Sequence, residues 1–254
     1  MQILLTNDDG INAKGIQTLC KYLNMIYDIS VVAPDSQQSA TSHGITLTKP
    51  MLVREVEMEC GGVKGYEVGG TPADCVKLAI QGGLVPKPDL VVSGINQGQN
   101  IGTDVLYSGT VSAAIEASLQ GVPAIAVSLT SYESQDFDTA AKFVRKLCEF
   151  IDEHDMIEDT LLNVNVPPVP ADQIKGVRIT RLSHVKYKNV FKEIVAETGE
   201  RYFVQGGEIL DDGTDDDDTD FKANANNEIT ITPIHFDLTN YKIIDLVKSW
   251  QIEK

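Results

Sequence analysis

The feature that most constrains this chain is a short apolar run that ends abruptly. Ile3-Leu4-Leu5 shows no polar/apolar alternation and stops at Asn7-Asp8-Asp9-Gly10. A strand buried on both faces of a parallel sheet reads this way. Gly10 lets the chain turn. Open α/β sheets place ligands at the carboxyl ends of their strands, so the position of Asp8 and Asp9 matters more than their type. Adjacent carboxylates repel each other, and a hard divalent cation with oxygen ligands relieves that repulsion. Elsewhere in a chain, Asp-Asp-Gly is an ordinary solvated turn.

The same arrangement recurs downstream. Ile16, Leu19, Cys20, Leu23 and Ile26 have helical spacing over residues 13–26. Ile29–Ala33 is a second apolar strand, stopped by Pro34, and a polar loop over residues 34–44 comes after it. The hydroxyls of Ser36, Ser39, Thr41 and Ser42 in that loop suit a cation or a phosphate. Short strands are expected at Ile45–Thr48, Leu52–Met58 and Gly65–Val68. Thr71-Pro72-Ala73-Asp74 then opens a helix, with a capping hydroxyl, proline at the first helical position and an acid in the first turn.

Asp89–Ser93 is the next buried strand, and Ser93–Asp104 reads as a long loop rich in Gly, Asn and Gln. Glycines let backbone amides approach an anion, and asparagines offer neutral oxygens or amide donors. Tyr107-Ser108-Gly109-Thr110 leads into a helix over Val111–Gln120. Hydroxyls and free amides at a helix N-terminus bind anions. A strand at 123–128, an amphipathic helix at 136–153 and a strand at Leu161–Val166 continue the alternation. Strand–helix alternation of this kind predicts a mostly parallel, doubly wound α/β sheet with inserted short strands.

After Pro170 the chain carries more charge and fewer core residues. Val177–Leu182, Val190–Ala196, Arg201–Gln205 and Glu228–Ile234 read as strands, and 238–250 as a helix. Residues 211–220 hold seven aspartates but lack the glycine and glutamate of an EF-hand loop, so they read as a solvated acidic loop. Asp218, Thr219 or Asp220 is placed to cap the short segment at the end of that loop.

Lys plus Arg is 21 and Asp plus Glu 37, a net charge of −16. That balance argues against general binding of nucleic-acid backbones. No apolar window is long enough for a transmembrane helix, and the chain starts on a strand rather than a basic, apolar leader. Cys20, Cys60, Cys75 and Cys148 are scattered without a CxxC pair. The expectation is reduced thiols, a cytoplasmic location and no zinc site.

Taken together, Asp8-Asp9, the Ser39 loop, the Asn96/Asn100 loop and Ser108-Gly109-Thr110 describe an oxygen-lined metal site beside an anion cradle. Oxygen donors without Cys or His point to Mg²⁺ or Mn²⁺. With no P-loop in the chain, the chemistry that fits is hydrolysis of a phosphate ester. Asp8 and Asp9 are the candidates for base or nucleophile; Asn100, Ser108, Gly109 and Thr110 are those for holding phosphate.

Leu-Thr-Asn-Asp-Asp-Gly-Ile at 5–11, Ser39, Gly-Thr-Pro-Ala-Asp-Cys-Val at 70–76, Ser-Gly-Ile-Asn-x-Gly-x-Asn at 93–100, Tyr-Ser-Gly-Thr-Val at 107–111 and Ile-Thr-Pro-Ile at 231–234 occur in this order. In these motifs the chain resembles the SurE survival-protein nucleotidases over nearly its whole length. The resemblance implies a metal-dependent nucleotidase releasing phosphate from nucleoside 5′- and 3′-monophosphates. It implies one divalent cation per subunit, held by Asp8, Asp9, Ser39 and Asn96. It also implies a Rossmann-like core over 1–170, with an extended β-hairpin arm and C-terminal strand-helix segment over 171–254. That second part serves assembly into a homodimer or homotetramer and is not an independent domain. The region 185–220 departs most from the family pattern.

Other classes fit less well. A receiver-like Mg²⁺-binding signalling module needs a phosphoacceptor aspartate where Ser93-Gly94-Ile95-Asn96 stands. A haloacid-dehalogenase-type phosphatase needs DxD, and a dinucleotide-binding oxidoreductase needs GxGxxG, where this chain has Asn7-Asp8-Asp9-Gly10. A phosphatase acting on non-nucleotide phosphoesters or short polyphosphate remains as a second reading of the same site.

Overall fold

The computed structural model describes residues 1–154, 160–188, 190–209, 216–250 and 252. In chain order, β1 (Gln2–Thr6), α1 (Lys14–Leu23) and β2 (Asp28–Pro34) lead to an inserted hairpin, β3 (Val53–Glu57) and β4 (Lys64–Val68). Helix α2 (Pro72–Ile80), β5 (Leu90–Gln97), α3 (Gly109–Leu119), β6 (Ala124–Leu129), α4 (Asp138–Glu153) and β7 (Leu161–Val166) are next. Then come β8 (Val177–Ile179), β9 (Tyr187–Lys188), β10 (Phe191–Val195), β11 (Arg201–Gln205) and β12 (Glu208–Ile209). The chain closes with α5 (Asp220–Ala225), β13 (Ile229–Ile234) and α6 (Ile244–Ser249).

Nine strands form one sheet in the order β3-β4-β2-β1-β5-β6-β7-β13-β8. The six strands from β4 to β7 are mutually parallel; β3 and β13 run antiparallel to β4 and β7. The fold is a mostly parallel α/β sheet, as the alternation predicts. Residues beyond 170 rejoin it through β8 and β13.

Successive side chains of the central strands enter opposite layers. Ile3 and Leu5 of β1, Leu90 and Val92 of β5, and Ile125 and Val127 of β6 pack with Ile16 and Leu19 of α1 and Val144 of α4. Leu4, Val91, Ala124 and Ala126 pack on the other face with Val76 of α2 and Ala113, Ala114 and Ala117 of α3. Both faces are covered, so these strands show no alternation of polarity. Burying each large aliphatic side chain contributes about 1.5–3 kcal/mol. At Gly15 a Cβ would fall 2.0 Å from the Ile95 carbonyl oxygen, so α1 lies backbone against β5.

Strand order reverses between β1 and β5. The chain steps from β1 to β2 and β4 on one side, and to β5, β6 and β7 on the other. Such a switch point opens a crevice beyond the carboxyl ends of the two strands. Asp8-Asp9 succeeds β1 and Asn96 lies near the end of β5.

Four sequence expectations are corrected. Residues Ser93–Gln97 belong to β5 rather than a loop. The ladder with β6 resumes after one extra residue, with Ser93 opposite Ala126 and Asn96 opposite Ser128. A bulge of this kind depends on the neighbouring strand and leaves no mark in composition. Ile45–Thr48 is not a strand: the Thr46 amide and hydroxyl bond to Asp74 at 2.9 and 2.6 Å instead. The helix expected at 238–250 is a 3₁₀ turn at Tyr241–Ile243 and then the short α6. Cys20 and Cys60 are joined in a disulfide that links α1 to the turn between β3 and β4. They lie 40 residues apart, so only the packing of that hairpin brings them together. Cys75 and Cys148 are buried free thiols on helices, and burial pushes Cys148 up to about 12.

Candidate active site

The turn after β1 is held by its own asparagine. The Asn7 side chain donates to the Gly10 carbonyl at 2.8 Å and accepts from the Gly10 amide at 3.2 Å. This cross-brace presents Asp8 and Asp9 in fixed directions. Asp8 is buried, and its Oδ1 accepts a 2.5 Å hydrogen bond from Thr110 at the start of α3. Burial, opposed by that bond and reinforced by the Asp9 charge, pushes the Asp8 carboxyl up to about 6. Asp9 is half-buried and also raised by burial, against a 3.3 Å hydrogen bond from the Gln97 amide. No ion pair involves either carboxylate among the described residues.

Helix α3 approaches Asp8 closely because its first residue is glycine. A Cβ at Gly109 would lie 2.8 Å from Asp8 Cβ and 2.9 Å from Oδ2. Ser108 caps this helix, its hydroxyl accepting from the Val111 amide at 3.0 Å.

The Ser39 loop is tied to the site from both ends. The Gln38 amide donates to the Asp8 carbonyl at 2.7 Å. Gln37 donates to Ser39 Oγ at 2.9 Å. The Ser42 hydroxyl bonds the Leu106 carbonyl at 2.7 Å, and His43 Nε2 lies 2.9 Å from buried Glu116 on α3.

Asn100 is held by residues that lie outside every motif read in the sequence. Its amide donates to Asn165 Oδ1 at 2.9 Å, and its carbonyl accepts from Asn163 and Asn165 at 2.8 and 2.9 Å. Its side chain donates to Ser128 at 2.8 Å. The signal was present as two asparagines at alternate positions of the otherwise apolar strand Leu-Leu-Asn-Val-Asn-Val. Both are fully buried on one face of β7.

These segments enclose a cavity of about 740 Å³ whose lining includes Asp8, Ser39, Asn96, Asn100 and Ser108. Asp9, Gly109 and Thr110 meet it through neighbours: Asp9 through Gln97, Gly109 and Thr110 through Asp8. The Thr110 hydroxyl reaches the cavity only through its hydrogen bond to Asp8. Asn96 donates its amide nitrogen to the Gly98 carbonyl at 2.9 Å.

A carboxylate pair at a switch point, with Asp8 in a cavity that Asn and Ser help to line and Asp9 beside it, matches the motifs read in the sequence. Comparison with known proteins bears on them directly. The model of the family described as "Survival protein SurE" matches residues 3–189. The chain belongs to the SurE family. It is 50% identical to the 5'-nucleotidase SurE of Carboxydothermus hydrogenoformans, over 98% of this chain and 96% of that protein. It is 49% identical to the 5'-nucleotidase SurE of Desulfitobacterium hafniense, over 100% and 98%. The crystal structure of the SurE protein from Aquifex aeolicus superposes with a TM-score of 0.85 at 36% identity, covering 98% of this chain and 99% of that one. Among the described residues of this SurE-family chain, no helix is long and apolar enough to cross a membrane.

Proposed function

We propose that this protein is a divalent-cation-dependent nucleotidase that hydrolyses nucleoside 5′- and 3′-monophosphates to nucleoside and phosphate. The observation that carries the reading is the Asp8-Asp9 pair: adjacent carboxylates, one of them buried, at the mouth of a polar cavity and without an ion-pair partner among the described residues. Isolated buried carboxylates are costly. The relatives' activity, named for a nucleotide substrate, agrees with this chemistry.

The donor set suits Mg²⁺ or Mn²⁺. Asp8 and Asp9 supply charge, and Ser39 and the Asn96 carbonyl oxygen supply neutral oxygen, with other positions left for water and phosphate. Bound there, such a cation supplies Lewis-acid polarisation of the phosphoryl oxygens. The chain's own residues do the rest. Asp8, held by the Thr110 hydroxyl, accepts the proton of an attacking water in this reading. Asn100 and Ser108 line the cavity and, with Gly109 and Thr110 at the start of α3, take the phosphate. Residues 1–170 are the catalytic core; 171–254 complete its sheet and, through the arm and C-terminal helix, assemble a homodimer or homotetramer.

Metal titration of Asn96→Ala and Ser39→Ala tests the ligand set, with phosphate release from AMP as the readout. Both variants should need more metal for half-maximal rate, Asn96→Ala the more so, and excess Mn²⁺ should recover part of the loss. Unchanged metal dependence with raised KM would move both residues to the phosphate cradle. Phosphate release from small phosphoesters or polyphosphate but not from nucleotides would overturn the substrate class.

A further inference from the structure

The cavity lining divides by chemistry. Besides the oxygen donors of the carboxylate and asparagine segments, it holds the rings of Tyr107, Tyr132 and Tyr187, together with Val190, Gln205 and Gly206 from the arm. None of these is among the residues assigned above to the cation or the phosphate. Tyr132 is 77% exposed, yet it is held in place. Its carbonyl accepts from Gln97 at 2.8 Å, and its ring lies on Gly98, where a Cβ would come within 2.4 Å of Cε1. Tyr187 is in β9, at the base of the arm, and its hydroxyl donates to the Asp104 carboxylate. Asp104 belongs to the 3₁₀ turn at Gly102–Leu106, which enters the Ser108 segment. Burial and this acceptor raise the Tyr187 phenol well above its usual range, so the hydroxyl stays a donor.

A site for phosphate alone needs charge and hydrogen-bond donors, not aromatic faces. Tyrosine rings at the edge of a phosphate site suit a flat π system, because every nucleobase has a face on which an aromatic ring stacks. We propose that Tyr132 and Tyr187 form the nucleoside-binding wall of this cavity, taking the base of a nucleoside monophosphate by stacking, with Tyr187 latched to Asp104 so that the base of the arm is part of the substrate site. The inference rests on the nucleotidase reading and adds the residues that tell a nucleotide from a simple phosphoester. Stacking tolerates different bases, so the wall predicts broad base acceptance.

The test compares AMP with ribose 5-phosphate as substrates, and adds adenosine binding measured by saturation-transfer NMR without metal. In Tyr132→Ala and Tyr187→Ala, KM for AMP should rise roughly tenfold, with kcat kept and ribose 5-phosphate kinetics unchanged. Adenosine binding should weaken in parallel, and Tyr132→Phe should restore both. If KM for the two substrates shifts together, or neither moves, the wall is wrong. If wild type releases no phosphate from either substrate while adenosine binding still depends on the tyrosines, the nucleotidase reading falls and the wall stands. Adenosine binding indifferent to both tyrosines overturns it.

Discussion

The Thr110 hydroxyl donates a 2.5 Å hydrogen bond to Asp8 Oδ1 across 102 residues of sequence. It joins the first turn of α3 to the end of β1 and orients the carboxylate that faces the cavity. Thr110→Val keeps the shape and removes the donor. Phosphate release should fall at least tenfold with KM for AMP little changed, and Thr110→Ser should retain most activity. A Thr110→Val variant as active as wild type would show that the bond does not orient Asp8.

Removing one charge from the carboxylate pair should separate stability from activity. Asp8→Asn and Asp9→Asn relieve like-charge repulsion, and Asp8→Asn also relieves burial of a charge. Thermal unfolding should show a Tm equal to or above that of wild type, while activity falls more than about a hundredfold (over 2.7 kcal/mol of barrier). Activity within threefold would sink the role given to this pair.

Glu116 pins the Ser39 loop to α3. Burial pushes its carboxyl up, but hydrogen bonds from His43, Gln120 and Lys77 together outweigh that and hold it below the usual glutamate range. A depressed carboxylate contributes stability that is present above the unfolded value of 4.5 and is lost as pH falls through the lower folded value. Glu116→Gln should therefore lower stability at pH 7 by about 1–3 kcal/mol. Urea unfolding should show the gap to wild type narrowing below pH 4.5. A gap constant from pH 7 to pH 3 would rule out this linkage.

The acidic run divides into two kinds of aspartate. Residues 211–215 lie outside the described residues. Asp216 and Asp218 are exposed and pair with Arg181, contacts worth about 1 kcal/mol or less. Asp220 is fully buried and accepts from the amides of Gly102 at 2.8 Å and Ser183 at 2.9 Å. Asp216→Asn with Asp218→Asn should leave turnover and Tm nearly unchanged. Asp220→Ala strands buried amides at about 1–3 kcal/mol each, so its Tm should drop by several degrees. A loss of metal-saturated turnover in the double variant would return that stretch to the metal site.

The arm exposes apolar side chains that an isolated subunit has no means of covering. In the β10–β11 hairpin Phe191, Ile194, Tyr202 and Phe203 are all exposed, as are Leu246 and Trp250 of the C-terminal segment. Apolar surface of this extent marks an interaction site. Light scattering at micromolar concentration should give a dimer or tetramer, and replacing residues 191–205 with a short Gly/Ser turn should reduce the assembly. A monomeric wild type would refute this.

The sequence by itself determined the strand–helix alternation of the core and where β1 and β2 end. Runs such as Ile3-Leu4-Leu5 and Leu90-Val91-Val92 are buried on both faces, and burial on both faces is written directly in composition. Thr71 was legible as a helix cap for a similar reason, since capping is local, and of the three candidates Asp218, Thr219 and Asp220 the structure puts Thr219 at the cap of α5. The motifs Asn7-Asp8-Asp9 and Ser108-Gly109-Thr110 were readable as chemistry because each lies where a strand ends or a helix begins. Only the tertiary structure decided how those groups are spent. Thr110 turns to Asp8 because Gly109 lets the start of α3 come within van der Waals contact of Asp8. Asn96 sits in a strand because β6 offers it a ladder. Asn163 and Asn165 hold Asn100, and Cys60 meets Cys20, because the fold packs distant segments together. Hydrogen bonds and cross-links between distant segments depend on where the sheet places them, and no local pattern encodes that distance.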